Sequence, residues 1–145
     1  MNKANKSLTH LIDLCRSKKI KVTPQRVAIY NELIDDLSHP TADSIYKRVH
    51  KKHPEISFDT VNRTLLRFAE IDIIRTVEGL ENQRRFDPGL QPHHHFQCLN
   101  CHQIIDFNDQ EYDKLTIPSQ LTEKHQINHF RVVLSGVCKN CLSKN

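Results

Sequence analysis

An α+β chain is predicted by three observations: amphipathic helical segments fill the first half, two short β-prone runs close it, and two Cys-x-x-Cys pairs mark the second half. Its 145 residues suit one ordinary domain or two small ones, and a half of that size has a thin core that a metal staple or dimerisation would support. Hydrophobic residues make up 37% and charged residues 26%, a globular balance without any apolar run near the ~20 residues of a membrane span. No signal-like apolar core follows Met1 to Ser7. A reducing cytoplasm and no membrane partner are therefore expected.

Leu8, Leu11, Ile12, Leu14 and Cys15 space a first helix that ends near Arg16-Ser17-Lys18-Lys19, with Cys15 as a small buried apolar residue. Thr23 caps a second helix with Pro24 at its first position, and Val27, Ala28, Ile29, Leu33, Ile34 and Leu37 carry its apolar stripe to Ser38. His39-Pro40 breaks it. Thr41 caps a third, with Ile45, Tyr46 and Val49 inward and Lys47, Arg48, Lys51 and Lys52 outward, until Pro54 closes it. Ser57 or Asp59 caps a fourth that runs to about Glu70 with Val61, Leu65 and Phe68 on one face. Residues 73–77 and 83–86 read as two strands around a turn at 78–82.

Helices followed by a basic hairpin predict a winged helix-turn-helix over residues 1–86. Charge agrees, because residues 1–86 carry 16 Lys and Arg against 11 Asp and Glu, whereas residues 87–145 carry 5 against 6. The base-rich half is the one suited to a polyanion, although a helical bundle with a charged rim would share that pattern. In such a module the fourth helix enters the major groove. Its first turn offers Ser57, Asp59, Thr60 and Asn62 as base readers beside Arg63 and Arg67, with Lys21, Arg26 and Lys47 as further phosphate contacts.

Cys98/Cys101 and Cys138/Cys141 supply the four thiolates of a closed tetrahedral zinc site, since each knuckle turns two sulfurs onto one ion. A redox dithiol normally opens a helix of a βαβ unit, and neither pair has that setting. The adjoining His93-His94-His95 exceeds what this site needs and points to a second metal; a merely solvated cluster is the alternative. On a strand, His93 and His95 share a face and His94 looks away. A zinc hydrolase or deaminase is disfavoured, because no His-Glu-x-x-His and no His-x-Glu before a Cys-x-x-Cys supplies a general base. No enzyme activity and no small organic substrate are expected. A zinc-stapled interaction module that binds no DNA is the remaining rival.

Nearly the whole chain resembles the ferric uptake regulator family. The likeness rests on Val22-Thr23-Pro24-Gln25-Arg26, on residues 39–46 from His39-Pro40-Thr41, on Asp59-Thr60-Val61-Asn62-Arg63-Thr64-Leu65, on Arg85-Phe86-Asp87, and on residues 93–101 through Ile105-Asp106-Phe107 to Cys138-Lys139-Asn140-Cys141. The resemblance implies a cytoplasmic homodimeric repressor of a palindromic operator in double-stranded DNA, with a hinge over residues 87–92 and an α/β dimerisation domain with structural zinc over residues 93–145. It places a regulatory site on His39, Asp87, His93, His95 and Asp106, a set of nitrogens and carboxylates suited to Fe(II), Mn(II) or Zn(II). Coordination would tie the two lobes together and set the recognition helices at operator spacing.

Asp at position 106 is similar to the peroxide-sensing members, in which oxidation of His39 or His93 by the bound iron and peroxide would release DNA; iron sensing, common with Glu there, is the alternative, and zinc sensing ranks third. Asn62 stands where the family usually has Tyr, exchanging a thymine-methyl contact for an amide that can bridge adenine. His102 replaces the usual Gly after Cys101 and is expected to be exposed. A third metal site of some members would draw on His94, Asp113 and His129, but Pro92 replaces an expected His.

Overall fold

Four helices come first: α1 (Lys3–Ser17), α2 (Pro24–Leu33), α3 (Ala42–Lys52) and α4 (Phe58–Glu70). The computed structural model describes residues 3–77 and 83–144, so the turn expected at 78–82 lies outside the described residues. Caps start the helices where the sequence places them. Thr23 accepts from the Arg26 N–H, Thr41 from Ser44 N–H, and Ser57 rather than Asp59 from Thr60 N–H, each satisfying a donor that a first turn leaves over.

α2 ends at Leu33 and not at Ser38, and Leu37, expected in its stripe, is 71% exposed. Asp36 accounts for this. Its carboxylate accepts the Ser38 N–H at 2.9 Å and the Arg48 guanidinium at 2.7 Å, a local turn that replaces a further helical one, and acidic side chains at a helix C-terminus oppose its dipole. Arg48, expected to point outward, is thereby turned onto α2.

Strands β1 (Arg75–Val77) and β2 (Arg85–Asp87) pair antiparallel, Arg75 opposite Asp87. The ladder starts later than the β-prone run because Ile73 and Ile74 are core residues whose N–H groups both reach the Phe68 carbonyl at the end of α4. Fourteen buried residues from α1 to β2, among them Leu11, Ile29, Leu33, Ile45, Leu65, Phe68 and Phe86, form one core, and Cys15 belongs to it as expected. Burial of each large apolar side chain contributes ~1.5–3 kcal/mol.

The chain folds as two compact units, Met1–Leu90 and Gln91–Asn145. In the second, β3 (His94–Cys98) lies between β4 (Ile104–Phe107), antiparallel to it, and β5 (Val133–Gly136), parallel to it. Short helices α5 (Gln110–Asp113), α6 (Ser119–Thr122) and α7 (Lys139–Leu142) complete the unit. The architecture is the predicted α+β one, a winged helix-turn-helix followed by a small α/β unit. Among the described residues of the second unit the buried hydrophobic side chains are Cys98, Ile104 and Cys138, while Leu99, Ile105, Leu115, Leu121, Ile127, Phe130, Val133, Leu134 and Leu142 are exposed. So small a core needs other support.

Candidate metal centres

Parallel pairing sets Cys98 at the end of β3 opposite Gly136 of β5, so the second knuckle, two residues on, leaves the sheet beside the first. Sulfurs from the two knuckles then meet: Cys98 and Cys141 are 3.9 Å apart, Cys101 and Cys138 3.7 Å. Zinc–sulfur bonds of ~2.3 Å in a tetrahedron require sulfur–sulfur edges of about 3.8 Å, and that is the spacing found. Backbone N–H groups of Cys101 and Cys138 hold the Cys98 thiol down to about 6, close to the thiolate that a metal needs. Four bare thiols could not all ionise together; the thiol of Cys141, hydrogen-bonded with Cys138 and desolvated, is pushed up to about 12. The four donors fit zinc.

Alternation along β3 sends His95 to one face with His93 just before it, their rings edge to face with centroids 4.8 Å apart. Antiparallel register places Asp106 of β4 directly opposite His95. Asp106 Oδ1 lies 3.3 Å from His95 Nε2 and 3.6 Å from His93 Nε2. These separations exceed an ordinary N–H to carboxylate hydrogen bond and match the ~3.4 Å edge expected between oxygen and nitrogen ligands at ~2.1 Å from a tetrahedral metal. His95 is fully buried, whereas Asp106 stays open to solvent.

His94 faces the other way and is occupied. Its Nδ1 accepts the Val132 N–H at 3.0 Å, so the ring proton sits on Nε2, 3.0 Å from Asp113 Oδ1. Phe107, Tyr112 and Phe130 surround the ring. A metal on Nε2 would demand an imidazolate or the loss of the Val132 bond. His94 and Asp113 therefore make a brace between β3, α5 and the approach to β5, and His129 joins no donor cluster among the described residues. His102 is half-buried, not exposed, with φ of 60°, the left-handed conformation that Gly adopts freely.

The first unit carries a smaller donor pair. His39 and Asp87 are 1% and 2% exposed, with His39 Nε2 3.9 Å from Asp87 Oδ2. Asp87, expected in the hinge, is the last residue of β2.

On α4, Ser57, Asp59, Arg63 and Arg67 are exposed and Thr60 and Asn62 half-buried. Asp59 pairs with Arg63 at 3.0 Å and Glu70 with Arg67 at 2.7 Å, exposed pairs worth little in water that a phosphate could replace. Lys21 is exposed, Arg26 donates to the Lys21 carbonyl, and Lys47 pairs with Asp43 at 2.6 Å. A recess of about 280 Å³ beside α4 is lined by Thr41, Ala42, Asp43, Asn62, Gln83, Arg84 and Phe86. Phe58, the first residue of α4, lies outside its buried stripe, 45% exposed and edge-on to Tyr46.

The profile of the Ferric uptake regulator family matches residues 17–135. The chain belongs to that family. Ferric uptake regulator relatives include the peroxide-responsive repressor PerR of Staphylococcus epidermidis, 36% identical over 87% of this chain and 84% of its own, and the peroxide operon regulator of Bacillus subtilis, 31% identical over 94% of each. The Helicobacter pylori ferric uptake regulator superposes with a TM-score of 0.74 over 97% of this chain and 95% of its own; at 21% identity that likeness speaks for the fold. As a ferric uptake regulator the chain is a metal-responsive, DNA-binding transcriptional repressor and not an enzyme, and members of the family are dimeric. Its cofactors are zinc on the four thiolates and Fe(II), Mn(II) or Zn(II) on a nitrogen and oxygen set. Nothing favours the DNA-free interaction module.

Proposed function

We propose that this ferric uptake regulator closes as a homodimer on a palindromic operator when Fe(II) or Mn(II) binds His39 and Asp87 of the first unit together with His93, His95 and Asp106 of the second. The observation that carries the reading is that each unit holds part of one donor set of the same chemistry, prearranged on β2 and its neighbour in one and on β3 and β4 in the other. Ligands on two lobes make coordination a latch: a metal that binds only the closed arrangement shifts the equilibrium by its differential affinity. Nine exposed apolar side chains among the described residues of the second unit offer surface that a dimer interface would cover. The cytoplasm is the setting; no helix among the described residues is long and apolar enough to cross a membrane.

On the DNA, α4 lies in the major groove with Ser57, Asp59, Thr60 and Asn62 toward base edges, and Lys21, Arg26, Lys47, Arg63 and Arg67 toward phosphates. A good bidentate base contact contributes ~1–3 kcal/mol, and phosphate contacts make affinity salt-dependent.

Peroxide is the signal we favour, supported by the two peroxide-responsive relatives and by Asp at position 106. Bound Fe(II) supplies the redox chemistry that turns peroxide into an oxidant of a ligating imidazole. His39 or His93, once oxidised, no longer ligates, and the lobes part. Iron sensing without peroxide release is the second reading, and zinc sensing the third, since no spare cysteine lies near residues 87–92.

Gel shifts with and without Mn(II) test the latch. His39→Ala and His93→Ala should keep zinc and lose metal-dependent DNA binding; unchanged shifts would refute the site. Asp106→Glu should keep repression while blunting its loss to peroxide. Mass spectrometry after Fe(II) and peroxide should find oxygen added to His39 or His93, and its absence moves iron sensing ahead.

A further inference from the structure

His39 has a backbone φ of 54°, the left-handed region, uncommon for residues other than Gly although His, with Asn and Asp, enters it more often than most. Such a conformation persists only where neighbours enforce it. Here β2 enforces it from 46 residues away. Arg85 Nη1 donates to the His39 carbonyl at 3.1 Å, the Phe86 N–H donates to the Pro40 carbonyl at 3.0 Å, and Thr41 bridges Arg85 in antiparallel fashion. Phe86 is buried in the core, which stops β2 from sliding.

The next residue along β2 is Asp87. Its Oδ1 accepts the Gly89 N–H at 2.7 Å, which turns Oδ2 toward His39 Nε2. Arg75, opposite Asp87 in the ladder, donates to the Leu90 carbonyl at 2.8 Å and secures the chain as it leaves the strand. Residues 85 to 87 thus divide the work between them. Arg85 grips the backbone of His39, Phe86 anchors the strand, and Asp87 presents a carboxylate to the same imidazole. Arg84, which lines the recess beside α4, directly precedes this run.

We propose that Arg85 is a positioning residue of the regulatory metal site, its guanidinium locking His39 in the left-handed conformation so that imidazole and Asp87 carboxylate stand together before a metal arrives. This rests on the reading of His39 and Asp87 as regulatory ligands. Preorganised donors spare the metal the cost of ordering them. Without the Arg85 bond, the His39 carbonyl loses its side-chain anchor while the Phe86–Pro40 bond and the Thr41–Arg85 bridge remain, so the imidazole is held less firmly beside Asp87. Arg85 is half-buried and its charge is spent on a backbone carbonyl, so it is not counted among the phosphate contacts.

The test uses the full-length, zinc-loaded protein with Arg85→Met, which removes the donor, and Arg85→Gln, which keeps a polar end too short to reach the carbonyl. Mn(II) affinity is read by electron paramagnetic resonance, beside His39→Ala as the reference. Both Arg85 variants should bind Mn(II) about tenfold more weakly, the scale of a lost left-handed constraint, with zinc and dimer intact. DNA affinity at saturating Mn(II), and its salt slope, should match the parent. Parental Mn(II) affinity in either folded variant overturns the proposal. So does weaker DNA binding with a shallower salt slope at saturating Mn(II), which would make Arg85 a phosphate contact, and so does loss of zinc or dimer in both variants, which would make it merely structural. If His39→Ala itself binds Mn(II) like the parent, the ligand assignment falls; if it alone loses Mn(II), only the positioning role does.

Discussion

Tyr30 shows how one polar atom is tolerated in the core. Its ring is fully buried and edge-on to Phe68 with centroids 6.1 Å apart, and its hydroxyl has no hydrogen-bond partner among the described residues. Burial, followed by the Cys15 thiol and the Asp35 carboxylate, pushes the phenol up to about 12 from an ordinary 10.0. A raised acid pKa means that the unfolded chain ionises first, so the stability present below pH 10.0 is lost as pH rises toward about 12. Tyr30→Phe should remove that alkaline loss and, because a buried hydroxyl without a partner contributes nothing, leave stability at pH 7 within about 1 kcal/mol of the parent or above it. Urea unfolding at both pH values decides. A larger loss at pH 7, or a parent-to-variant difference that stays flat with pH, would contradict this.

Among elements, α4 is fixed by its packed face and its cap. Val61, Leu65 and Phe68 bury one face, while Ser57 fastens the first turn by accepting the Thr60 N–H at 3.2 Å. Ser57→Ala should cost ~1 kcal/mol, read as a lower urea midpoint at unchanged slope. Asp59→Ala should cost less, since Asp59 sits inside the turn and not at its cap; equal costs would reassign the cap. α2 is the contrasting case. Apolar spacing alone carries it to Ser38, but the Asp36 turn and its Arg48 partner on α3 stop it at Leu33. Although burial opposes it, hydrogen bonds from Ser38 and the Arg48 guanidinium hold the Asp36 carboxyl below its usual range.

At the scale of the whole molecule, the units are stabilised by different means. Among the described residues the first has a core of fourteen buried side chains, whereas the second has only Cys98, Ile104 and Cys138 as buried hydrophobic side chains and gathers four thiolates. Structural zinc contributes ~10–16 kcal/mol of folding free energy in small thiolate domains at neutral pH. Cys98→Ser or Cys138→Ser should therefore abolish zinc retention and dimerisation together, while the helical circular dichroism of α1 to α4 survives. Metal analysis and sedimentation of the variants test it. A zinc-replete dimer after either change would mean that the sulfurs are not the staple.

Much of this was legible in the sequence, because the signals act within a few residues. A hydroxyl caps a helix three positions downstream, a knuckle closes over two intervening residues, and strand alternation puts His93 and His95 on one side of β3. What only the tertiary structure decided depends on partners far apart in the chain: the end of α2 on Arg48, the orientation of the His94 ring on Val132 38 residues on, the meeting of the two knuckles on a parallel β3–β5 register, and the partner of the His39 carbonyl on Arg85. Local spacing states which groups are available; only topology, by bringing distant backbone donors and acceptors together, determines which of them each side chain must satisfy.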